Sequence, residues 1–205
     1  MKRILPATWT LAIVVTLLVV CAAVSLYGFK LLHDGRSNLV DLYQLKSDIL
    51  QANIALRNAA IAYNQAQTEA ELAKMLVTRS SANDVYDRLT AADLPDIDKV
   101  ILAEMKKERP EYREAQMKVV NAVRKGKSEE AWDHMTYYQT LMDRYISRVD
   151  KLISHITKMS HSIHIRVQST ILGFLGVSIL IAAVTVWKGF HSVSIVRKPK
   201  EALNE

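Results

Sequence analysis

Two long apolar segments frame the chain and leave a polar stretch between them. Residues 4–29 and 167–187 carry no charged side chain. Each is long enough for a helix that crosses the hydrocarbon core of a bilayer, which takes about 20 apolar residues. The pattern predicts transmembrane helices at residues 7–29 and 167–187, with a separate domain at residues 30–166.

The domain between the apolar segments has the sequence repeat of packed helices. Its apolar residues alternate in steps of three and four, as they do along the contact stripe of a helix bundle. In the first such stretch they are Leu42, Leu45, Ile49, Ala52, Leu56, Ala59 and Tyr63. In the last they are Met135, Tyr138, Met142, Tyr145, Val149, Leu152, Ile156, Met159 and Ile163. The repeat predicts helices that bury one face against each other.

Three polar breaks divide this domain. The first is residues 64–69, with Thr68 as a cap-like residue. The second surrounds Pro95, which suits a turn or the first turn of a helix. In the third, Gly126 is expected to end one helix and Ser128 to cap the next.

These breaks predict four helices, near residues 31–65, 69–92, 96–125 and 128–166. Pro110 lies within the third helix and is expected to bend or interrupt it. Short connections make neighbouring helices antiparallel. The predicted fold class is therefore all-α: two transmembrane helices flanking an up-down-up-down four-helix bundle.

The charge distribution orients the chain in the membrane. Basic residues cluster in the terminal segments, residues 1–6 and 188–205, whereas residues 30–166 hold 21 basic and 19 acidic side chains. Lys and Arg are enriched on the cytoplasmic side of membrane proteins. Both termini are therefore expected in the cytoplasm and the bundle in the periplasm. The net charge of +6 reflects this orientation and does not predict a nucleic-acid partner.

Two other interpretations of the first apolar segment are less consistent with its sequence. A cleaved signal peptide also begins with basic residues, but its apolar core is usually 7–15 residues long. A lipoprotein signal would place a small residue before the cysteine, and Val20 precedes Cys21. Cys21 is the only cysteine, so disulfides are not expected in the bundle.

Three stretches resemble a known family. Residues 120–132 are similar to the helix–Gly–polar–acidic–Ala junction that opens the last sensor helix of bacterial methyl-accepting chemotaxis receptors. Residues 56–63 resemble the Arg-bearing part of the first sensor helix. Residues 195–203 resemble the start of a HAMP linker: Pro199 and Leu203 fit, whereas Lys200 stands where an apolar residue is usual.

The resemblance implies the sensor half of a chemotaxis transducer in the bacterial inner membrane. Such a receptor is a homodimer that binds a ligand outside the cytoplasm and transmits the signal through its last helix. The chain ends about ten residues into the HAMP-like linker, so the downstream signalling domains and kinase-coupling partners are expected outside it. The same module also serves histidine kinases and diguanylate cyclases. A membrane scaffold that binds another protein is an alternative of a different class.

A candidate ligand site combines two helix segments that are expected at the same height. Arg57 and Asn58 lie near the outer end of the first helix, and Thr136, Tyr137 and Gln139 lie near the outer end of the fourth. A guanidinium with amide and hydroxyl neighbours suits a carboxylate. The resemblance implies the same ligand class, an amino acid or a small carboxylate, although Arg57 lacks the further arginines of the family's amino-acid receptors. The alternative is a solvated surface arginine.

Arg79 and Glu108 occupy positions of the apolar stripes on the second and third helices. They are about equally far along the chain from the turn at Pro95, so they are expected at nearly the same height in the bundle. A buried charge needs a partner, so a structural ion pair between them is expected. The alternative is that Arg79 faces a ligand.

No catalytic, metal or cofactor site is predicted. His161 and His164 share a helix face, but interfacial histidines explain them better than a two-ligand metal clip. The sequence contains no Gly-rich phosphate loop, CxxC, HExxH or GxSxG motif. An enzyme is therefore not expected.

Overall fold

The chain forms four helices in the computed structural model, which describes the backbone of residues 5–201 and the side chains of residues 12–187 except Val14. The helices are α1 (Leu5–Ala60), α2 (Gln65–Ala91), α3 (Asp96–Arg124) and α4 (Ser128–Glu201). No strand occurs in this described part. The first four residues, the last four, and the side chains of the HAMP-like stretch at residues 195–203 lie outside it.

The segment Asp34–Ser160 is one compact unit, and the flanking parts of α1 and α4 form another. Within the first unit, the contacts that join neighbouring helices are Ser81–Asp48 (α2 with α1), Tyr86–Leu102 (α2 with α3), Arg148–Glu108 (α4 with α3) and Lys46–Asp150 (α1 with α4). Asp41 contacts Arg88, and Asp48, two turns later, contacts Ser81. The residue numbers therefore run in opposite directions, as in an up-down-up-down bundle.

The bundle core consists of the predicted stripes. On α1 and α4 the stripe residues from Leu42 to Ala59 and from Met135 to Ile156 are buried. Met159 and Ile163 are only half-buried, and Tyr63 is 98% exposed in the connection to α2 because α1 ends at Ala60. A repeat that extends past the end of its helix no longer faces the core.

The helix ends differ from the prediction by a few residues. Asn64 caps α2 by accepting a hydrogen bond from the Gln67 backbone N–H at 2.9 Å, whereas Thr68 lies inside the helix. The cap at Thr68 was thus wrong, because Asn64, four residues earlier, already occupies the cap position. Ser128 is the first residue of α4 rather than its cap.

Gly126 ends α3 in the left-handed conformation, with a φ of +67°. Its N–H donates to the carbonyl of Val123, and the N–H of Lys127 donates to the carbonyl of Ala122, both at 3.0 Å. This pair of bonds is the Schellman arrangement that stops a helix. Pro110, by contrast, does not interrupt α3, which continues through it.

The second unit contains the two apolar segments. α1 and α4 each include a stretch long and apolar enough to cross a membrane. Gly28 is buried here, and a Cβ added to it would overlap a methyl group of Val167. Glycine therefore permits a close approach of α1 and α4 at this level.

Candidate functional site

Arg57 and Asn58 lie in the last turn of α1 with their side chains exposed. Among the described side chains, no hydrogen bond or ion pair joins Arg57 to a neighbour. Asn58 is close to α2, because its side chain forms a hydrogen bond with Glu71 of that helix. The pKa of Glu71 is lowered mainly by Lys74 and to a smaller extent by this hydrogen bond from Asn58. Arg57 is thus a cation without an acidic partner in the described part of the chain.

Arg57 belongs to an exposed stripe on α1, separate from the core stripe. The members of this outer stripe follow the same steps of three and four, and all but the half-buried Ser47 are exposed: Val40, Tyr43, Ser47, Leu50, Ile54 and Arg57. Its large apolar members are 38–62% exposed. A single-chain helix bundle normally has polar residues on its outer face. The outer stripe is therefore an apolar surface that no other described residue covers.

The structure separates the three predicted residues of α4. Gln139 faces α1, where Asn53 donates to its Oε1 at 3.4 Å. Tyr137 faces α3, and its hydroxyl donates to Glu111 at 2.5 Å, which raises the tyrosine's pKa. Thr136 is exposed and donates to the carbonyl of Trp132. Tyr137 therefore lies on a different side of α4 from Gln139.

The predicted ion pair between Arg79 and Glu108 does not form. Arg148 of α4 donates to both carboxylate oxygens of Glu108, at 2.7 and 2.8 Å, and also contacts Glu104. Arg79 instead donates to the sulfur of Met117 at 3.4 Å. Equal distance from the α2–α3 turn was not sufficient to predict the ion pair. α4 also lies beside Glu108, and its Arg148 binds the carboxylate instead.

Arg79 lines a small, partly open cavity between the helices, with an accessible volume of about 30 Å³. The polar residues around it are Asp48, Arg79, Asn83, Arg109, Tyr112, Arg113, Gln116 and Tyr145. Arg109 and Arg113 both donate to Oδ1 of Asn83, at 2.6 and 2.7 Å. We name Arg79, Arg109 and Arg113 the arginine cluster. The cluster places three cations of α2 and α3 around one small space.

The cluster is only partly compensated by acidic groups. Burial, followed by the charges of Arg109 and Arg79, lowers the pKa of Arg113. Asp87 is 3.7 Å from Arg109 but 73% exposed, and Arg109 also lies over the ring of Tyr86 at 4.1 Å. Asp48 is buried, but its oxygens already accept hydrogen bonds from Gln44 and Ser81. Within the described residues, Arg79 has no ion pair.

A second buried acid lies away from the cavity. Asp98 is 0% exposed, and its Oδ1 is 2.7 Å from Nδ1 of His155. Its Oδ2 has no hydrogen-bond partner in the described part. Burial raises the pKa of Asp98, and the hydrogen bond with His155 opposes this increase.

The comparison with protein families identifies the module. The model of a four helix bundle sensory module for signal transduction, found in methyl-accepting chemotaxis proteins, matches residues 10–171. The chain belongs to this family. A search of curated proteins and a search of solved structures return no match.

Membership of the sensory module family agrees with the fold and gives a general function. The family transduces signals and is not an enzyme family. Together with the two apolar segments, it indicates a membrane receptor. No group of three potential metal-ligating side chains occurs among the described residues.

The sequence held one signal for the arginine cluster. Arg79 and Asn83 are four residues apart on α2, as are Arg109 and Arg113 on α3, so each pair shares a helix face. Both pairs lie at similar distances from Pro95. This spacing makes the two pairs candidates for a contact across the α2–α3 turn, but it does not show that the two faces point toward each other.

Proposed function

We propose that this chain is the sensor module of a bacterial chemoreceptor, which binds a small carboxylate or amino acid outside the cytoplasm and transmits the signal through α4. One observation carries the proposal: a sensory four-helix bundle lies between two segments that are long and apolar enough to cross a membrane. α4 is a single helix from Ser128 to Glu201. A ligand-dependent axial displacement of α4 relative to α1 would reach the cytoplasm through it.

The proposed orientation follows from charge. The terminal segments are rich in basic residues, whereas the 21 basic residues of segment 30–166 are nearly balanced by 19 acidic ones, and by the positive-inside rule this difference favours cytoplasmic termini. The bundle then lies in the periplasm, and the two apolar segments anchor it in the inner membrane. Downstream signalling domains or kinase-coupling partners would read the displacement of α4.

The outer stripe of α1 supports a homodimer. Its period of three and four is that of a helix that packs against another helix. Two copies of the stripe, related by a two-fold axis, would cover each other's apolar residues. Val40, Tyr43, Leu50 and Ile54 would then be buried, with Arg57 at the outer edge of the interface.

The proposed ligand site lies at this outer edge. Arg57 follows Asn53 by one turn on α1, and Thr136 precedes Gln139 by one turn on α4. Because the two helices are antiparallel and Asn53 contacts Gln139, Arg57 and Thr136 are expected at the same height. Arg57 would bind the ligand carboxylate, with Asn58, Thr136 and Gln139 as polar neighbours. Tyr137 would keep its hydrogen bond to Glu111.

Thermal unfolding of the full chain in lipid nanodiscs tests the ligand. We would screen amino acids and di- and tricarboxylates, and titrate any that raises the midpoint. A ligand at 100 times its dissociation constant stabilises by about 2.7 kcal/mol, which is a rise of about 5 to 10 °C. Arg57→Ala should abolish the rise. Arg124→Ala, which removes an exposed arginine paired with Glu69, is the matched control and should keep it.

Disulfide cross-linking tests the dimer. In a Cys21→Ser background, Ile54→Cys should form covalent dimers on mild oxidation. Val77→Cys on α2, also an exposed apolar position, should remain monomeric. If no acid stabilises the protein and Ile54→Cys does not cross-link, the direct-sensing homodimer is wrong, and a scaffold that binds another protein becomes the better interpretation.

A further inference from the structure

We propose that the arginine cluster is a second ligand site, which lies inside one protomer and binds the carboxylate group of a small monocarboxylate such as acetate. The cavity that it surrounds is lined by residues of all four helices. This inference does not depend on the proposed site at Arg57, and it assigns a function to the unpaired Arg79.

The first argument is charge. Arginine is always charged in proteins, so the cluster brings three positive charges together. Asp48 is the one carboxylate that lines the cavity, and Gln44 and Ser81 already bind it. A partly buried excess of positive charge is unfavourable unless an anion accompanies it. An anion bound between the three guanidinium groups would therefore stabilise the folded bundle.

The second argument is an unpartnered polar atom. Gln116 lines the cavity, is 1% exposed, and has an Oε1 that accepts no hydrogen bond in the described part of the chain. Its Nε2 donates weakly to the hydroxyl of Tyr138 at 3.4 Å. Buried side-chain polar atoms in folded proteins almost always have a partner. A carboxylate accepts hydrogen bonds but donates none, so the donor to this oxygen would be a water that accompanies the ligand.

The third argument is shape. The pocket has an accessible volume of about 30 Å³ and is partly open to solvent, which suits a small ligand. The planar guanidinium fork matches a planar carboxylate with two parallel hydrogen bonds. Leu45, Ile49 and Ala52 of α1 form an apolar wall of the same cavity, suited to a methyl group. Phosphate and sulfate also pair with guanidinium groups, but they carry no apolar group for this wall.

The cavity is distinct from the site at Arg57. Ala52, its outermost residue on α1, precedes Arg57 by five residues, or about 7.5 Å along the helix axis. Ala52 belongs to the core stripe, whereas Arg57 belongs to the outer stripe. No second copy of the chain is needed to complete the arginine cluster.

The test uses the full chain in nanodiscs, titrated with sodium acetate and sodium formate against sodium chloride at equal ionic strength. We expect acetate to raise the unfolding midpoint by about 5 to 10 °C at 100 times its dissociation constant, and chloride to have no such effect. Isothermal titration calorimetry gives the affinity. Arg79→Met should weaken acetate binding about 10- to 100-fold, because it removes a charge-assisted hydrogen bond. Arg144→Met, an exposed arginine of α4 outside the cavity, is the matched control.

A second variant keeps the test decisive if Arg79→Met does not fold. Gln116→Glu places a carboxylate of the protein itself in the cavity. It should raise the midpoint without ligand and abolish the response to acetate.

Three results would overturn the inference. The first is an acetate response no larger than that to chloride. The second is an equal response to phosphate and sulfate, which would exclude a carboxylate-specific site. The third is a response that only Arg57→Ala removes, which would place the ligand at the proposed dimer surface instead.

Discussion

Arg148 of α4 binds Glu108 of α3 through two nearly parallel hydrogen bonds, from Nε to Oε2 at 2.8 Å and from Nη2 to Oε1 at 2.7 Å. Both side chains are 22% exposed, so the pair is partly shielded from water. The same guanidinium contacts Glu104, one turn away on α3. This fork fixes the position of α4 against α3 along the bundle.

Glu108→Gln should lower the free energy of unfolding by about 1 kcal/mol at pH 7, because it replaces a charge-assisted pair by a neutral one. The hydrogen bond from Arg148 lowers the pKa of Glu108 below its usual 4.5. A group whose pKa is lower in the folded state stabilises the fold at pH values above its pKa in the unfolded state. This stabilisation is lost as the pH falls through the pKa of the folded state. The difference between the two proteins should therefore be constant above about pH 5.5 and shrink in acid.

Urea unfolding of the full chain in detergent, followed by far-UV circular dichroism from pH 3 to 7, measures this difference. Glu104→Gln is the control, since Glu104 is 48% exposed and should contribute less. A Glu108→Gln protein as stable as the parent at pH 7 would contradict the prediction.

Asp98→Asn should raise the free energy of unfolding at pH 7. Burial raises the pKa of Asp98 above its usual 3.8, so folding favours the neutral form of this side chain. The sign is opposite to that for Glu108: stability is highest at low pH and declines as the pH rises from 3.8 through the folded pKa. Asparagine cannot titrate and removes this decline.

The measurement is the same pH series of urea unfolding. His155→Gln is the informative companion, because it removes the imidazole whose hydrogen bond lowers the pKa of Asp98 and should steepen the decline. An Asp98→Asn protein that keeps the parent's pH dependence between pH 4 and 6 would show that another group causes it.

Gly126→Ala should destabilise the bundle by about 1 kcal/mol, or about 2 to 4 °C in the unfolding midpoint. A Cβ at Gly126 would meet no atom within 4 Å, so the whole cost arises from the positive φ of 67°. Gly126→Asn should cost less, because asparagine tolerates the left-handed conformation. Differential scanning calorimetry of the three proteins decides the order, and an alanine variant equal to the parent would mean that the backbone has relaxed.

The helices and their pairing could be predicted because each depends on a repeat within one element. The spacing that includes Leu42 and Leu56 gave the core stripe of α1, and the polar breaks gave the connections to within a few residues. Tyr63 and Thr68 were misjudged because a repeat or a cap residue does not show where a helix actually ends.

The pairing of charges could not be predicted in the same way. Glu108 lies between two helices, and the choice between Arg79 and Arg148 depends on how each helix is rotated about its axis. The arginine cluster has the same requirement, since three guanidinium groups converge only when α2 and α3 both turn these faces inward. The ligand residues around Arg57 remain a prediction that a dimer or a ligand complex would test.

Gly28 and Val167 can change only together. Because a methyl group at position 28 would occupy the space of the Val167 side chain, alanine there requires a residue smaller than valine opposite it. Valine in a helix also strongly prefers one rotamer about its first side-chain torsion, so a rotation away from position 28 is unfavourable. In related chains that keep this close approach of α1 and α4, the two positions should therefore covary, with the larger side chain on one helix accompanied by the smaller on the other.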